Sequence, residues 1–283
     1  MKLATLRTST GTRAVKLATV DGRELLVDLG EEELGAFLAR PDWAERAAAA
    51  GGDDAATYDP ADADFAPVVP RPSKVVCVGH NYTNHINEMG RDLPAYPTLF
   101  TKFADTLLGA HDDIEKPAET DALDWEVELV VVIGAPVRRA SEEEAAAAIA
   151  GFTVMNDISV RDWQFRTIEW TQGKIWDSST PVGPYLVTPD ELPGGVRPRL
   201  TVRTTVDGQV MQEDDTATLL FDPVMLVRYI STIVRLNPGD LIATGTPAGV
   251  GHARDPQVYL VGGESVVTEI DGLGACVNRV VKA

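Results

Sequence analysis

Glu126 and Glu128 stand two residues apart in WEVELVVVIG (125 to 134), and Asp157 follows the apolar run GFTVM (151 to 155). On a strand, residues two apart project from one face about 7 Å from each other along the chain. That spacing suits two ligands of one ion, and an acid at the end of a second strand can converge on the pair. Three hard oxygen ligands without His or Cys favour Mg²⁺, Mn²⁺ or Ca²⁺ over Zn²⁺. Spacing alone leaves a plainer reading open, in which the two glutamates lie on the solvated face of an edge strand. Against it, Val127 and Leu129, Val130, Val131, Val132 and Ile133 form a near-continuous apolar run. Such a strand reads as buried on both faces, where acids need partners or a metal.

Other residues around these acids carry chemistry. His85 and Glu88 are three apart in NYTNHINEMG, which on one helical turn puts an imidazole and a carboxylate on the same side. The carboxylate would orient the imidazole and raise its basicity, although such a pair also serves as a surface ion pair. Lys174 lies in QGKIW, where a lysine beside apolar residues can simply snorkel to the surface. Arg161 and Gln164 follow Asp157 by four and seven residues, so a helical turn would aim both toward the ion. Arg161 can clamp a carboxylate ligand or pair with Asp162 or another acid. TGTPAGVG (244 to 251) is Gly-rich but lacks the Gly-Lys-Ser/Thr ending of a phosphate loop.

The elements that must position these residues follow from pattern and punctuation. With 283 residues, 44% hydrophobic and 24% charged, the chain reads as a soluble folded protein with one main domain and an N-terminal addition. The formal net charge is -18 and no dense Lys/Arg cluster occurs, so nucleic acid and anionic membrane surfaces are set aside as partners. A small anionic substrate would need local positive charge. Cys77 and Cys276 match no zinc pattern. MKLATLRTST lacks the apolar core of a signal peptide, and no run approaches the ~20 apolar residues of a membrane span. A reducing cytoplasm is the expected location.

Residues 2 to 7 and 14 to 28 alternate around Asp21-Gly22 and predict a β-hairpin. Glu31 to Ala50 predicts a helix, stopped by Gly51-Gly52, and an Ala/Asp/Pro-rich connection follows to Pro72. Strands are expected at 74 to 79, 125 to 134, 151 to 159, 183 to 188, 199 to 208 and 240 to 245. A helix capped by Ser141 and another over 222 to 235 complete the pattern. The class is α+β and β-rich, with a small N-terminal α+β domain over 1 to 70 and a main domain over 71 to 283.

From about Lys74 onward the sequence resembles the fumarylacetoacetate hydrolase family. The resemblance is carried by CVGHNYTNHINEMG (77 to 90), PTLFTK (97 to 102), DWEVELVVVIG (124 to 134), FTVMNDISVRDWQ (152 to 164), QGKIWDSSTPVGPYLVT (172 to 188) and PGDLIATGTPAGVG (238 to 251), in that order. Within the family it is most similar to the acylpyruvase and 2-hydroxyhepta-2,4-diene-1,7-dioate isomerase branch. The resemblance implies a mixed β-roll or β-sandwich catalytic domain, a homodimer, and Mg²⁺ or a similar ion on Glu126, Glu128 and Asp157. It assigns water activation to His85 with Glu88, and charge stabilisation of an enolate or oxyanion to Lys174. It places Asn81, Tyr82, Lys102, Arg161, Gln164 and Thr246 among supports or substrate contacts, with Tyr82 equally suited to core packing. His80 departs from the family motif, as either a specificity residue or a packing one, and His111 and His252 read as structural or surface residues.

The expected chemistry is Lewis-acid catalysis on a 2-oxo acid: His85 activates water for attack on the distal carbonyl of an acylpyruvate or related diketo acid, the C–C bond breaks, and the pyruvate enolate leaves. The same centre suits three other reactions: decarboxylation of oxaloacetate, isomerisation of a 5-carboxymethyl-2-hydroxymuconate type of compound, or dehydration of a 2-keto-3-deoxy acid. A different class of reading is a non-catalytic protein in which the cation only stabilises the fold or a dimer.

Overall fold

The computed structural model describes residues 1–51, 55–88 and 92–283, apart from the side chains of His85 and Asn87. The N-terminal strands β1 (Lys2–Thr8), β2 (Gly11–Val20) and β3 (Arg23–Asp28) form a meander. The β2–β3 turn is Asp21-Gly22, with φ of 48° and 78°, the left-handed pair that a two-residue hairpin demands. In place of one long helix, Glu31 to Ala50 holds α1 (Leu34–Leu38) and α2 (Trp43–Ala49). Pro41 falls between them, and its ring and missing N–H prevent the helix from running through. β4 (Thr57–Tyr58) closes this region against β3.

The remaining chain supplies β5 (Val75–Gly79), α3 (Thr83–Glu88), β6 (Thr98–Lys102), β7 (Leu107–Leu108), β8 (Ile114–Lys116), β9 (Leu123–Asp124) and β10 (Val127–Ile133). Then come α4 (Glu142–Ala147), β11 (Ile149–Asn156), β12 (Ser159–Val160), α5 (Arg161–Gln164), β13 (Thr180–Val187), β14 (Thr201–Val206) and β15 (Gln209–Asp215). The chain ends with α6 (Pro223–Ile233), β16 (Leu241–Ala243), β17 (Ser265–Ile270) and β18 (Gly274–Lys282). Among the described residues, eleven strands make one sheet, in which β4-β3-β2-β1 continue through β13 into β11-β10-β16-β5-β6. A second sheet runs β15-β14-β17-β18-β8. β1 reaches the main sheet through the pairs Lys2 with Val187 and Leu3 with Leu186, so the N-terminal strands extend that sheet.

The architecture is β-rich α+β, with the two sheets packed face to face. β10 shows how. Every residue from Val127 to Ile133 is buried, and alternation divides them between two cores. Val127, Leu129, Val131 and Ile133 meet Phe152, Val202, Ile270 and Cys276 between the sheets, where α6 adds Val224, Leu226, Val227 and Ile230. Val130 and Val132 turn the other way, toward Leu34, Phe37 and Leu38 of α1. Ser141 and Glu144 close a capping box at the start of α4, and Asp222 caps α6 through the Met225 N–H. β6, β17 and β18 were not foreseen as strands. They are short or broken by polar residues, and only pairing with their neighbours makes them strands.

Phe152 is fully buried where β11 faces the second sheet. Phe152→Ala is expected to destabilise the protein by about 3–5 kcal/mol, measured as a lower urea midpoint with an unchanged slope.

Candidate metal centre

The expected strand at 125 to 134 begins at Val127, because the chain breaks between β9 and β10 at Trp125-Glu126. The break keeps Glu126 out of the ladder while the Asn156 side-chain oxygen accepts its N–H at 3.0 Å. Its carbonyl in turn accepts from the Asp157 N–H at 2.8 Å. Glu128 lies on β10 proper, on the face that Val130 and Val132 continue beneath α1. The end of β11 delivers Asp157. Ligand oxygens of Glu126, Glu128 and Asp157 lie within 4.8 Å of one another, and all three residues are buried.

Positive charge is packed directly against them. Lys174 follows a short 3₁₀ turn, Trp170–Gly173, and its Nζ donates to Glu126 Oε2 at 2.9 Å and Asp157 Oδ2 at 2.6 Å. Lys102, at the end of β6, sets its Nζ 2.7 Å from Asp157 Oδ1 and donates to the Ile158 carbonyl at 3.1 Å. Arg161, the first residue of α5, reaches Glu126 Oε1 at 2.6 Å, Asp124 Oδ2 at 2.8 Å and Gln164 Oε1 at 2.9 Å. Asp157 and Glu126 together hold the Lys174 ammonium well above its ordinary pKa despite burial, so it stays charged through the neutral range.

Glu128 is different. Its Oε2 accepts a hydrogen bond from the Gly245 N–H, at 2.7 Å. Burial first, then the charges of Asp157 and Glu126, push its carboxyl well above the usual carboxylate range. A fully buried carboxylate facing two others is what a divalent cation would compensate. The three-oxygen donor set, with no sulfur or imidazole in it, fits such an ion. Gly245 itself has φ +98°, and a Cβ there would lie 2.9 Å from the Val78 carbonyl, so only glycine brings this N–H onto Glu128.

A cavity opens onto the cluster, lined by Glu126, Glu128, Arg161, Gln164, Lys174 and Thr246 and by the rings of His80, Phe100, Phe165, Trp170 and His252. Thr246 Oγ1 accepts from Gln212 Nε2 at 2.8 Å. Lys102 is buried and meets the cluster through Asp157 without lining the cavity. Asn81 commits its amide to backbone, donating to Phe221 O at 3.0 Å and Thr244 O at 2.8 Å and accepting from Phe221 N at 2.7 Å. It thereby ties the chain after β5 to that after β16. Tyr82 is fully buried in the core between the sheets, and neither it nor Asn81 is among the lining residues. His80 sits at φ 56° with its ring edge-to-face on Trp170. Glu88 is exposed at the end of α3, and the His85 side chain lies outside the described residues. His111 packs edge-on against Phe65.

The sequence reading missed Asp124, Gln212 and the cavity-facing position of His252. Asp124 extends the acidic alternation to Asp124, Glu126 and Glu128, a visible signal. It accepts from the N–H groups of Trp125, Gly251 and His252 and holds Arg161. Gln212, on β15, comes from the other sheet and has no local signal.

Mg²⁺ or Mn²⁺ is expected to raise the Tm of the wild type, as any ligand of the folded state does. Glu128→Gln is expected to leave the metal-free Tm unchanged or higher, because it relieves repulsion in the trio, and to abolish the metal-dependent rise. A full metal-dependent rise in Glu128→Gln would remove this residue from the site.

Residues 74–281 match the model of the fumarylacetoacetate (FAA) hydrolase C-terminal family. Among curated proteins, the mitochondrial oxaloacetate tautomerase FAHD2A of Bos taurus is 43% identical over 219 residues, covering 77% of this chain and 69% of that protein. Among solved structures, the fumarylacetoacetate hydrolase of Exiguobacterium antarcticum superposes with a TM-score of 0.86 at 30% identity, covering 100% of both chains. Fumarylpyruvate hydrolase from Pseudomonas aeruginosa, in complex with Mn²⁺ and pyruvate, has a TM-score of 0.68 at 32% identity, over 78% of this chain and 92% of that one. Fold, matched span and identity agree that this chain belongs to the fumarylacetoacetate hydrolase family.

Proposed function

We propose that this protein is a divalent-metal-dependent enzyme of 2-oxo acids, and that its reaction is the keto–enol interconversion of oxaloacetate or a close relative. The observation that carries the reading is the buried trio of Glu126, Glu128 and Asp157 with the Lys174 ammonium held against two of its members. Such a centre stabilises negative charge on an oxygen, which the enolate of a 2-oxo acid requires. The 43% identity to an oxaloacetate tautomerase supports the choice of reaction.

Glu126, Glu128 and Asp157 would hold Mg²⁺ or Mn²⁺, whose chemistry there is Lewis-acid polarisation of the 2-oxo group. The chain's own residues do the rest. An ammonium has three N–H donors; Lys174 gives two to Glu126 and Asp157, and the third serves the oxygen on which charge develops. Thr246 accepts from Gln212, which leaves its own O–H to donate into the cavity. Arg161 is pinned by Asp124 on one side and Glu126 on the other and sets a fixed cation in the wall for a substrate carboxylate. In a chain of net charge -18, Arg161 and Lys174 are the cations beside the cavity that an anionic substrate can meet.

A second reading, hydrolysis of an acylpyruvate, draws support from the fumarylpyruvate hydrolase with Mn²⁺ and pyruvate. It needs His85 and Glu88 as the water-activating pair. The isomerase reading needs neither, and Glu88 is exposed on α3.

The deciding experiment follows the ultraviolet absorbance of the enol of oxaloacetate with Mg²⁺ alone and with Mg²⁺ plus protein. Protein is expected to accelerate its decay, and Glu126→Ala to lose at least ~100-fold of that acceleration. No acceleration, with cleavage of fumarylpyruvate or another acylpyruvate under the same conditions, would put hydrolysis in its place.

A further inference from the structure

His252 is left over from the family's motifs and from the reaction above, yet it lines the cavity together with Arg161, Phe165 and Trp170. The main chain fixes its position: its backbone N–H donates to Asp124 Oδ2 at 2.9 Å, and Asp124 Oδ2 also lies 2.8 Å from Arg161. Arg161 in turn reaches Glu126. His252 thus stands one guanidinium beyond the carboxylate trio, at the aromatic end of the cavity.

Its ring is oriented as well as placed. Nδ1 lies 2.8 Å from Tyr259 Oη and 3.3 Å from Gln257 Nε2. The Gln257 amide donates the same Nε2 to the His252 carbonyl at 3.0 Å, which identifies that atom as the donor end of the amide. When Nδ1 accepts from Gln257 and Tyr259, the neutral imidazole carries its proton on Nε2. Phe165 stacks on the ring at 5.0 Å with planes 28° apart, fixing its tilt. Burial, and then the charge of Arg161, lower the imidazole pKa from its ordinary value, which keeps this tautomer in place near neutral pH.

We propose that His252 is a specificity-determining residue whose Nε2–H, locked by Gln257 and Tyr259, takes the distal carboxylate of a four-carbon 2-oxo dicarboxylate while the 2-oxo end sits at the carboxylate trio. This rests on the 2-oxo acid reading and sharpens it to substrates carrying an oxygen anion at the far end. Arg161, between the two ends, serves either. The rings of Phe165 and Trp170 flank the contact, and a less polar surrounding strengthens a hydrogen bond to a charged group.

The test compares the binding of oxaloacetate and 2-oxobutanoate, which share four carbons and differ in the terminal carboxylate, by calorimetry in Mg²⁺. A hydrogen bond to a charged group corresponds to roughly 10- to 100-fold in Kd. His252→Phe, which retains a ring for Phe165 to stack on, is expected to weaken oxaloacetate by that factor and leave 2-oxobutanoate within about twofold. His252→Gln keeps an N–H donor and is expected to recover part of the loss. A parallel fall for both ligands in both variants, no change for either, or a wild type that binds the two equally would each overturn the proposal. The measurement requires no turnover. Failure of wild type to interconvert oxaloacetate while the binding difference persists would therefore sink the reaction proposed above and not the role of His252.

Discussion

The structure turns on a knot of opposite charges buried at one end of a cavity: Glu126, Glu128 and Asp157 against Lys102 and Lys174, with Arg161 shared between Glu126 and Asp124. Buried ions cost several kcal/mol each in lost hydration, which is offset only when geometry is good and the remaining polar atoms find partners. The surroundings bear this out. Asn156 supports the Glu126 backbone, the Gly245 N–H caps Glu128, and three backbone N–H groups converge on Asp124. A cluster of this kind adds little net stability in comparison with apolar packing, and its worth lies in the electrostatic work it can do on a ligand.

Each member comes from a different piece of chain, and the cluster therefore depends on the whole sheet arrangement. The break between β9 and β10 frees Glu126, the end of β11 delivers Asp157, and the end of β6 brings in Lys102. The chain after β16 supplies Gly245 and Thr246, and the second sheet supplies Gln212 to hold Thr246. Asn81, just after β5, holds the backbone of Thr244 after β16 with one hydrogen bond and that of Phe221 before α6 with two. The sandwich core beneath, with β10 buried on both faces, gives these loops a rigid base, so a small ligand meets charges already in position.

The cavity is graded. One end is ionic and the other aromatic, where the imidazoles of His80 and His252 stand beside Phe165 and Trp170. Gly79 allows this wall to close, since a Cβ there would lie 2.3 Å from the Trp170 ring. The ionic end suits the 2-oxo acid part of a substrate, and the aromatic end is where relatives of one family can differ while keeping the same chemistry.

The amino-acid sequence by itself determined the local elements and the chemical type of the site. Alternation and turn residues marked the N-terminal hairpin, β5, β10, β11, α4 and α6, because those signals act within a few residues. The apolar run around Glu126 and Glu128 signalled acids in a buried strand, and the ordered motifs added Asp157, Lys174 and Arg161. Tertiary structure alone decided which of these atoms meet. Pairing with distant neighbours made β6, β17 and β18 into strands, and Pro41 divided an expected helix in two. Asp124 became the anchor of Arg161, Asn81 a backbone tie and Tyr82 a core residue. His252, unremarkable along the chain, reached the cavity only because Asp124 holds its N–H from more than a hundred residues away. Spacing along a chain fixes what neighbours within a turn or a pleat can do, whereas the field at a buried atom is the sum over groups that only folding brings together.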